Sequence, residues 1–201
     1  MRVLDERLLV AQVASGDEEA LRQLYLAYRP RLRRYLWHQL GGDTASVEEA
    51  LQDVFLAVWR TAGGYRAEAR VSTWLYQIAH YTALSARRRL ARYADSLRLD
   101  AATDDDAEPN GTNNVAYDVA YDACDDIVLN RLILDDALGR LSPKHREALA
   151  LVFQHGFSLD EAAQILDVPT GTVKSRLSYA RKALLRELGA APTEKEARHD
   201  A

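Results

Sequence analysis

The sequence predicts an all-α protein with two small helical domains joined by a flexible acidic linker, the second domain containing a helix-turn-helix. Alanine, leucine and arginine dominate the 201 residues, and these residue types favour helices. Aromatic and β-branched residues never gather into the alternating runs typical of strands. Apolar residues make up 48% of the chain, which is enough to form a core and too many for a fully disordered protein.

The composition argues against several classes of protein. A single cysteine, Cys124, excludes an internal disulfide framework and a cysteine-based zinc site. The charged residues 1–7 lack the apolar core of a signal peptide, and no apolar run approaches the roughly 20 residues of a membrane-spanning helix. The five histidines are scattered, and no phosphate-binding glycine loop is present. We therefore expect a soluble cytoplasmic protein that is not an enzyme, needs no metal or cofactor and does not insert into a membrane.

Charge is distributed unevenly along the chain, whose net charge is −4. Residues 1–95 contain 14 Lys and Arg against 11 Asp and Glu, residues 96–130 contain one against nine, and residues 131–201 contain 11 against 10. Two weakly basic segments therefore flank an acidic one. Because local charge decides nucleic-acid binding, the negative total does not exclude it.

The first domain is predicted over residues 8–94 as three packed helices. The first helix lies within residues 17–36, where apolar residues recur at three- and four-residue steps, and Pro30 should kink or split it. The second helix should open with a capping box formed by Ser46 and Glu49. Its buried stripe is predicted to comprise Val47, Leu51, Val54, Phe55 and Val58.

The third helix follows a loop over residues 65–72 and runs through residues 74–86. It is predicted to close on Arg87–Arg89 and Arg92, because cations suit a helix C-terminus. Residues 95–126 then lose any apolar period and carry acidic runs, which predicts a flexible acidic linker.

The second domain is predicted over residues 127–189, followed by a disordered tail over residues 190–201. Ser142 before Pro143 marks the start of a helix, since Ser is a favoured cap and Pro suits the first helical position. That helix is expected to stop at Gly156. Its predicted buried residues are Leu149, Val152 and Phe153.

A helix-turn-helix is predicted from residue 158 to residue 188. Ser158 and Glu161 should form a capping box for a short helix that ends at Leu166, and Thr170 can cap the longer helix that follows Pro169. The predicted core face of the longer helix comprises Val173, Leu177, Ala180, Leu184 and Leu188. The opposite face, Thr172, Lys174, Ser175, Arg176, Ser178, Tyr179 and Lys182, offers donors for phosphates and base edges. Periodicity alone leaves DNA reading and an ordinary solvated face equally open.

A second set of residues is aromatic and basic, as in proteins that hold single-stranded nucleic acid on stacking platforms. It comprises Tyr65, Arg66, Arg70, Trp74, Tyr76, His80, Tyr81 and Arg87–Arg89. Spacing alone favours the alternative that Trp74 and Tyr76 are core aromatics.

Two parts of the chain resemble extracytoplasmic-function (ECF) sigma factors of the sigma-seventy superfamily. Residues 46–60 and 71–79 resemble the second conserved region of that family, and residues 168–177 resemble the fourth. The resemblance covers about residues 10–92 and 128–188. It implies a promoter-reading and promoter-opening subunit whose partners are core RNA polymerase, promoter DNA and an anti-sigma factor.

The resemblance also implies roles for particular residues. Core polymerase would be bound by Gln52, Asp53 and Leu56. The minus-ten element would be captured and melted by Tyr65, Arg66, Trp74, Tyr76, His80, Tyr81, Arg87 and Arg88. The minus-thirty-five element would be read by Thr172, Lys174, Ser175, Arg176, Ser178, Tyr179, Arg181 and Lys182. The linker would thread toward the RNA exit path.

The chain departs from the family pattern at two places. His80 and Tyr81 stand where family members often carry an asparagine, so a different minus-ten preference is expected. Thr170 stands where valine is commoner. The alternatives to a sigma factor are a standalone helix-turn-helix transcriptional regulator and a helical adaptor without DNA function. Binding to core polymerase in the absence of DNA would distinguish the first of these from a sigma factor.

Overall fold

The computed structural model describes residues 5–101 and 138–187, and the chain divides into two compact units. The first part contains α1 (Glu6–Ala14), α2 (Glu18–Gln39), α3 (Thr44–Thr61), a short 3-10 turn (Ala62–Gly64) and α4 (Val71–Ala101). The second contains α5 (Pro143–Leu149), a π-helical turn (Ala150–Gln154), α6 (Leu159–Leu166) and α7 (Thr170–Glu187). No strand occurs in either described range, so the all-α prediction is confirmed there.

Several predictions fall outside the described residues. They include the linker beyond residue 101, with Cys124, and the tail over residues 190–201. The start of the second domain before Leu138 also lies outside.

Helix α1 precedes the first helix that periodicity predicts. The carboxylate of Asp5 caps it by accepting hydrogen bonds from the backbone amides of Arg7 and Leu8, at 3.2 and 3.3 Å. The helix buries Leu9, Val10 and Val13. Because it has only nine residues, its apolar pattern completes little more than two turns, and the capping aspartate is the clearer signal in the sequence.

Helix α2 is continuous through Pro30, so of the two expected effects of this proline, a kink or a split, the split does not occur. Pro30 lacks the N–H that would bond to the carbonyl of Leu26 one turn earlier. Both residues are exposed, so water can satisfy that carbonyl. The opposite side of the helix is held by the buried residues Leu24, Tyr28, Leu32, Tyr35 and Leu36.

Helix α3 begins three residues earlier than predicted, and the capping box of Ser46 and Glu49 is wrong. Asp43 is the cap, and its Oδ2 accepts a hydrogen bond from the backbone amide of Ser46 at 2.9 Å. Hydrogen bonds from the Ser46 side chain and backbone lower the pKa of Asp43. With Asp43 satisfying the amide, Ser46 is buried within the first turn and Glu49 pairs with Arg89 at 3.0 Å.

The predicted buried stripe of α3 is confirmed, since all five of its residues are buried. Helix α3 packs against both α2 and α4. Tyr35 of α2 and Tyr76 of α4 meet in the same core, with ring centroids 5.3 Å apart. Burying a Val, Leu or aromatic side chain contributes about 1.5–3 kcal/mol to the free energy of unfolding. The packing of α3 between α2 and α4 is therefore a main source of stability in the first unit.

Helix α4 is longer than its apolar pattern predicts. The sequence places its end at Arg87–Arg92, whereas the helix continues to Ala101 and includes the first residues assigned to the linker. Periodicity marks the part of a helix that packs on a core, and among the residues of α4 up to Tyr93 the last buried one is Ala86.

Helix α5 starts at Pro143 with Ser142 at the cap position, as predicted. The buried face differs from the prediction, because Phe153 is 72% exposed and Leu149 and Val152 are half-buried. Ala148 and Leu151 are buried instead. The helix widens into the π-helical turn at Ala150–Gln154, and a stripe calculated at 3.6 residues per turn does not hold through such a turn.

The cap at Asp43 leads to a test of the corrected start of α3. Asp43→Ala should lower the free energy of unfolding by about 1 kcal/mol, because a backbone amide loses its partner. Since the folded-state pKa of Asp43 is lowered, its contribution is present above the ordinary aspartate pKa and is lost as pH falls through the lowered value. Urea unfolding followed by tryptophan fluorescence measures it, because Trp37, Trp59 and Trp74 all lie in the first unit.

Glu49→Ala is the matched control, since Glu49 makes only an exposed ion pair and its loss should cost less than about 0.5 kcal/mol. A larger loss for Glu49→Ala than for Asp43→Ala would restore the capping box as the start of the helix.

Candidate functional site

The outward face of α3 carries a small polar and apolar surface. Gln52 and Asp53 are exposed, and Leu56 is 52% exposed. All three lie off the stripe that α3 buries against α2 and α4, as the sequence predicts. An exposed leucine beside polar groups suits a protein contact better than a nucleic-acid contact.

The loop between α3 and α4 is closed onto the start of α4. The hydroxyl of Tyr65 donates to the carbonyl of Ala69 at 2.6 Å, and the ring of Tyr65 lies 5.1 Å from that of Trp74. Ala67 adopts a left-handed backbone conformation, with φ of 58°. Such a conformation is disfavoured for a residue with a Cβ, so the contacts around it hold the loop in a defined shape. Tyr65 and Trp74 thus form one half-buried aromatic unit, with Arg66 exposed beside it.

The predicted minus-ten residues on α4 differ in exposure. Tyr81 is 45% exposed, and His80 is half-buried with its ring 5.3 Å from that of Tyr81. Arg88 is exposed and Arg87 is half-buried. These side chains are available for stacking or for phosphate contacts.

Tyr76 is the exception, and the structure corrects its assignment to the minus-ten surface. Its side chain is only 2% exposed and packs on Tyr35 in the core of the first unit. Burial raises the pKa of its hydroxyl. A base cannot stack on a ring that is enclosed by its own domain. The alternative that spacing favoured is therefore correct for Tyr76, whereas Trp74 is half-buried.

The capping box that opens α6 is confirmed. The hydroxyl of Ser158 accepts from the backbone amide of Glu161 at 3.2 Å, and the Glu161 carboxylate accepts from the amide of Ser158 at 2.9 Å. Thr170 does not have its predicted capping role. The carbonyl of Pro169 accepts from the amides that follow it, while the Thr170 hydroxyl donates to the carboxylate of Asp160 at 2.9 Å. That hydrogen bond ties the start of α7 to the start of α6.

Helix α7 presents its two faces much as the sequence predicts. Val173 and Ala180 are fully buried, and Leu177 and Leu184 are half-buried. Leu188 lies outside the described residues. On the opposite face Lys174, Ser175, Ser178, Tyr179 and Arg181 are exposed, while Thr172, Arg176 and Lys182 are half-buried.

Among the side chains of that face, Ser175 and Tyr179 have contacts within the domain. The Ser175 hydroxyl donates to the carbonyl of Thr172 at 2.9 Å. Tyr179 is 64% exposed, yet its ring stacks on that of His145 in α5, with centroids 5.9 Å apart and planes at 21°. Sequence analysis does not identify His145, because its partner lies 34 positions further along the chain and the pairing depends on how α5 packs against α7.

The described parts of the chain hold neither a metal-binding cluster nor a membrane-spanning helix. Within residues 5–101 and 138–187 no three His, Cys, Asp or Glu side chains group closely enough to hold a metal ion. No helix in the same part of the chain is long and apolar enough to cross a membrane.

The sequence matches two family models in the order expected for a sigma factor. The model for sigma-70 region 2 matches residues 24–93, which include α3 and most of α2 and α4. The model for sigma-70 region 4 matches residues 131–184, which include α6 and most of α7. The three surfaces described above, on α3, α4 and α7, therefore fall within matched segments.

The chain is 34% identical over 185 residues to the ECF RNA polymerase sigma factor SigM of Mycobacterium tuberculosis (strain ATCC 25618 / H37Rv). That alignment covers 92% of this chain and 85% of the relative. The chain belongs to the ECF RNA polymerase sigma factors. An ECF sigma factor directs transcription initiation, and the family is not one of enzymes. The standalone regulator is accordingly not favoured.

Solved structures agree with this ECF sigma factor in fold. CnrH, solved in complex with the cytosolic domain of CnrY, has a TM-score of 0.62 at 25% identity and covers 93% of this chain and 99% of its own. The sigma factor RpoE of Bartonella quintana, solved in complex with the anti-sigma factor NepR, has a TM-score of 0.67 at 24% identity. That match covers 85% of this chain and 98% of the other.

The different burial of Tyr76 and Trp74 leads to a test that separates core from surface. Tyr76→Ala should lower the free energy of unfolding by about 3–5 kcal/mol, because it leaves a cavity at the α2–α4 contact. Trp74→Ala should cost less and should instead reduce promoter opening, since base stacking contributes about 1–3 kcal/mol per base. Circular dichroism in urea gives the stabilities, and permanganate footprinting of the promoter gives the opening.

Tyr76→Phe is the control, because it keeps the ring in the core and should open the promoter as the unmodified protein does. Normal stability of Tyr76→Ala together with lost opening would return Tyr76 to the minus-ten surface.

Proposed function

We propose that this ECF sigma factor divides promoter recognition between residues 8–94 and residues 127–189. The first segment binds core RNA polymerase and opens the minus-ten element. The second reads the minus-thirty-five element as duplex. The observation that carries the proposal is the exposed, donor-rich face of α7, which is the second helix of a helix-turn-helix.

Attachment to core polymerase is assigned to Gln52, Asp53 and Leu56. These side chains are exposed on a helix whose other side is locked into the core, so they form a rigid surface. A rigid surface loses little entropy on binding. The resemblance of this segment to the second region of the family supports the same assignment.

Strand opening is assigned to the loop over residues 65–70 and to the exposed side of α4. The Tyr65–Trp74 unit offers an aromatic platform for a base that leaves the duplex, and Tyr81 offers a second one. Arg66 and Arg88 are exposed and lie within eight positions of these aromatic residues in the sequence. Their guanidinium groups are suited to binding phosphates. Family members often carry an asparagine where this chain has His80 and Tyr81. This difference supports a minus-ten sequence preference that differs from theirs.

Duplex reading is assigned to the exposed face of α7. In a helix-turn-helix the N-terminal residues of the second helix reach base edges, which selects Lys174 and Ser175. Ser175 would have to exchange its hydrogen bond to the Thr172 carbonyl for one to a base. Arg176, Arg181 and Lys182 lie further along and suit phosphates.

We also propose an anti-sigma partner and a cytoplasmic site of action. The family resemblance supports both, and the solved Bartonella quintana relative was captured with an anti-sigma factor. Transcription in vitro with core polymerase on a promoter library tests the function as a whole. We expect initiation only when the chain is present, and the start sites define the promoter.

Core binding can be tested by reversing one charge. Asp53→Arg should leave the fold intact, because Asp53 is exposed. It should weaken association with core polymerase about tenfold or more, because it reverses a charge in the proposed interface. Fluorescence anisotropy of the labelled chain titrated with core polymerase measures the affinity. Glu18→Arg makes the same charge change at an exposed position of α2 and should leave the affinity unaltered. Equal affinities for both variants would remove Asp53 from the interface.

Duplex reading can be tested by comparing two lysines of α7. Lys174→Ala should change which minus-thirty-five sequences are selected, because a base contact discriminates by about 1–3 kcal/mol. Lys182→Ala should weaken all sequences alike and reduce the salt slope by about one, as a phosphate contact does. Selection of bound duplexes by holoenzyme at two salt concentrations measures both. An even loss over all sequences for Lys174→Ala contradicts its base-reading role, and no effect of either variant contradicts the role of α7.

A further inference from the structure

Tyr179 is an aromatic side chain on the outward face of α7, and most of its surface is exposed. An exposed side chain exchanges between rotamers within nanoseconds. Holding such a side chain in one rotamer on binding costs about two- to tenfold in affinity. A contact that fixes the ring before DNA arrives therefore strengthens any contact that the ring makes with DNA.

His145 of α5 provides a contact of this kind. Its ring lies nearly parallel to that of Tyr179, with the planes at 21° and the centroids 5.9 Å apart. Carbon atoms in contact lie about 3.5–4.0 Å apart, so the two rings are offset rather than directly superposed. Offset stacking is one of the preferred arrangements of aromatic pairs. The offset supports the Tyr179 ring on one side and leaves the rest of it accessible.

The backbone around His145 is held by hydrogen bonds at the start of α5. The amide of His145 donates to the carbonyl of Ser142 at 3.0 Å. The guanidinium of the next residue, Arg146, donates to the carbonyls of Gly139 and Leu141 at 2.6 and 3.1 Å. The His145 ring is thus attached to a restrained backbone and can act as a fixed support.

Tyr179 lies close to the residues of α7 to which base reading is assigned. It follows Ser175 by four positions, which places it one turn further along the same face. Helical side chains lean toward the N-terminus of their helix, so the Tyr179 ring covers part of the turn that carries Ser175. Ala180 is fully buried and fixes the rotation of α7 at this point. The direction of the Tyr179 ring therefore depends on its rotamer, which the stack on His145 selects.

We propose that His145 is a positioning residue for minus-thirty-five reading, because it holds the Tyr179 ring where the ring can contact a thymine methyl group. The inference rests on the proposed function, since it takes the outward face of α7 as the part that reads the duplex. In the major groove, the C5-methyl group of thymine is the group that apolar side chains contact. His145 acts through Tyr179 and does not itself contact a base.

The proposal predicts a loss of discrimination between sequences. Without the His145 ring, Tyr179 is free to move away from the methyl group, and thymine at one position loses its advantage. Partial unfolding of the protein would instead lower binding to all sequences by the same factor, because it reduces the concentration of competent holoenzyme. The ratio of affinities for two duplexes therefore separates positioning from a purely structural role.

The experiment uses holoenzyme made from the full chain and core polymerase. Selection of minus-thirty-five duplexes by the unmodified protein and by Tyr179→Ala identifies the position at which the variant loses a preference for thymine. A second duplex with uracil at that position lacks only the methyl group. The unmodified holoenzyme should prefer thymine to uracil by about fourfold, as burial of one methyl group gives. His145→Ala should reduce this ratio to less than about twofold.

Four variants serve as controls. His145→Phe retains an aromatic ring and should keep the ratio, whereas His145→Gln keeps a polar side chain without a ring and should behave as His145→Ala does. Lys144→Ala changes the exposed neighbour of His145 in α5 and should leave the ratio unaltered. The double variant of His145→Ala with Tyr179→Ala should show the same ratio as Tyr179→Ala alone, because His145 acts only through that ring.

Three outcomes would overturn the inference. The first is that His145→Ala and His145→Gln keep the preference for thymine that Tyr179→Ala loses. The second is that His145→Phe or Lys144→Ala loses this preference as fully as His145→Ala does. The third is that Tyr179→Ala loses no thymine preference at any position, which would also remove Tyr179 from the base-reading residues. Binding of the unmodified holoenzyme to all minus-thirty-five sequences alike would instead overturn the proposed function of α7.

Discussion

Burial of the apolar stripe of α3 between α2 and α4 is the constraint on which the first unit depends. Once Val47, Leu51, Val54 and Val58 are enclosed, the rotation of α3 about its axis is determined, and Gln52 and Asp53 have to face outward. The same packing selects the side of α4 that enters the core, and therefore the side that stays exposed. The surfaces that we propose for polymerase and for DNA thus both depend on how α3 and α4 pack in one core.

Burial of one face also determines the orientation of α7, although fewer of its residues are fully buried. Val173 and Ala180 anchor one face, and side-chain contacts outside that face add to the alignment. Thr170 bonds to Asp160 of α6, and Tyr179 stacks on His145 of α5. Each of these contacts is modest by itself, at about 0.5–1.5 kcal/mol. Together they restrain the helix to which we assign duplex reading, and they leave its outward face exposed.

The arginines of α4 show why residue type alone does not assign a role. Arg89 and Arg92 lie three positions apart in a basic run, yet one pairs with Glu49 and the other is exposed on the face that carries Trp74. Because the arginine run follows the last residue of the apolar pattern, the sequence predicts that α4 ends there. This prediction fails because the helix continues to Ala101, and apolar periodicity reports packing rather than helical backbone.

The sequence by itself determined the helical class, the buried stripe of α3, the start of α5 at Pro143, the capping box of α6 and the outward face of α7. Those features depend on residues close together in the chain, so local periodicity and capping chemistry are sufficient to predict them. Its motifs also indicated the ECF sigma family, which the relatives confirm.

Only the tertiary structure decided that Tyr76 belongs to the core while Trp74 stays half-buried, because two aromatic residues two positions apart look alike until a partner such as Tyr35 is placed against one of them. It likewise decided that Asp43 rather than Ser46 caps α3, that Phe153 is exposed beyond a π-helical turn, and that His145 meets Tyr179. The last of these is a contact between helices distant in sequence, whose geometry is set by packing that no local pattern encodes.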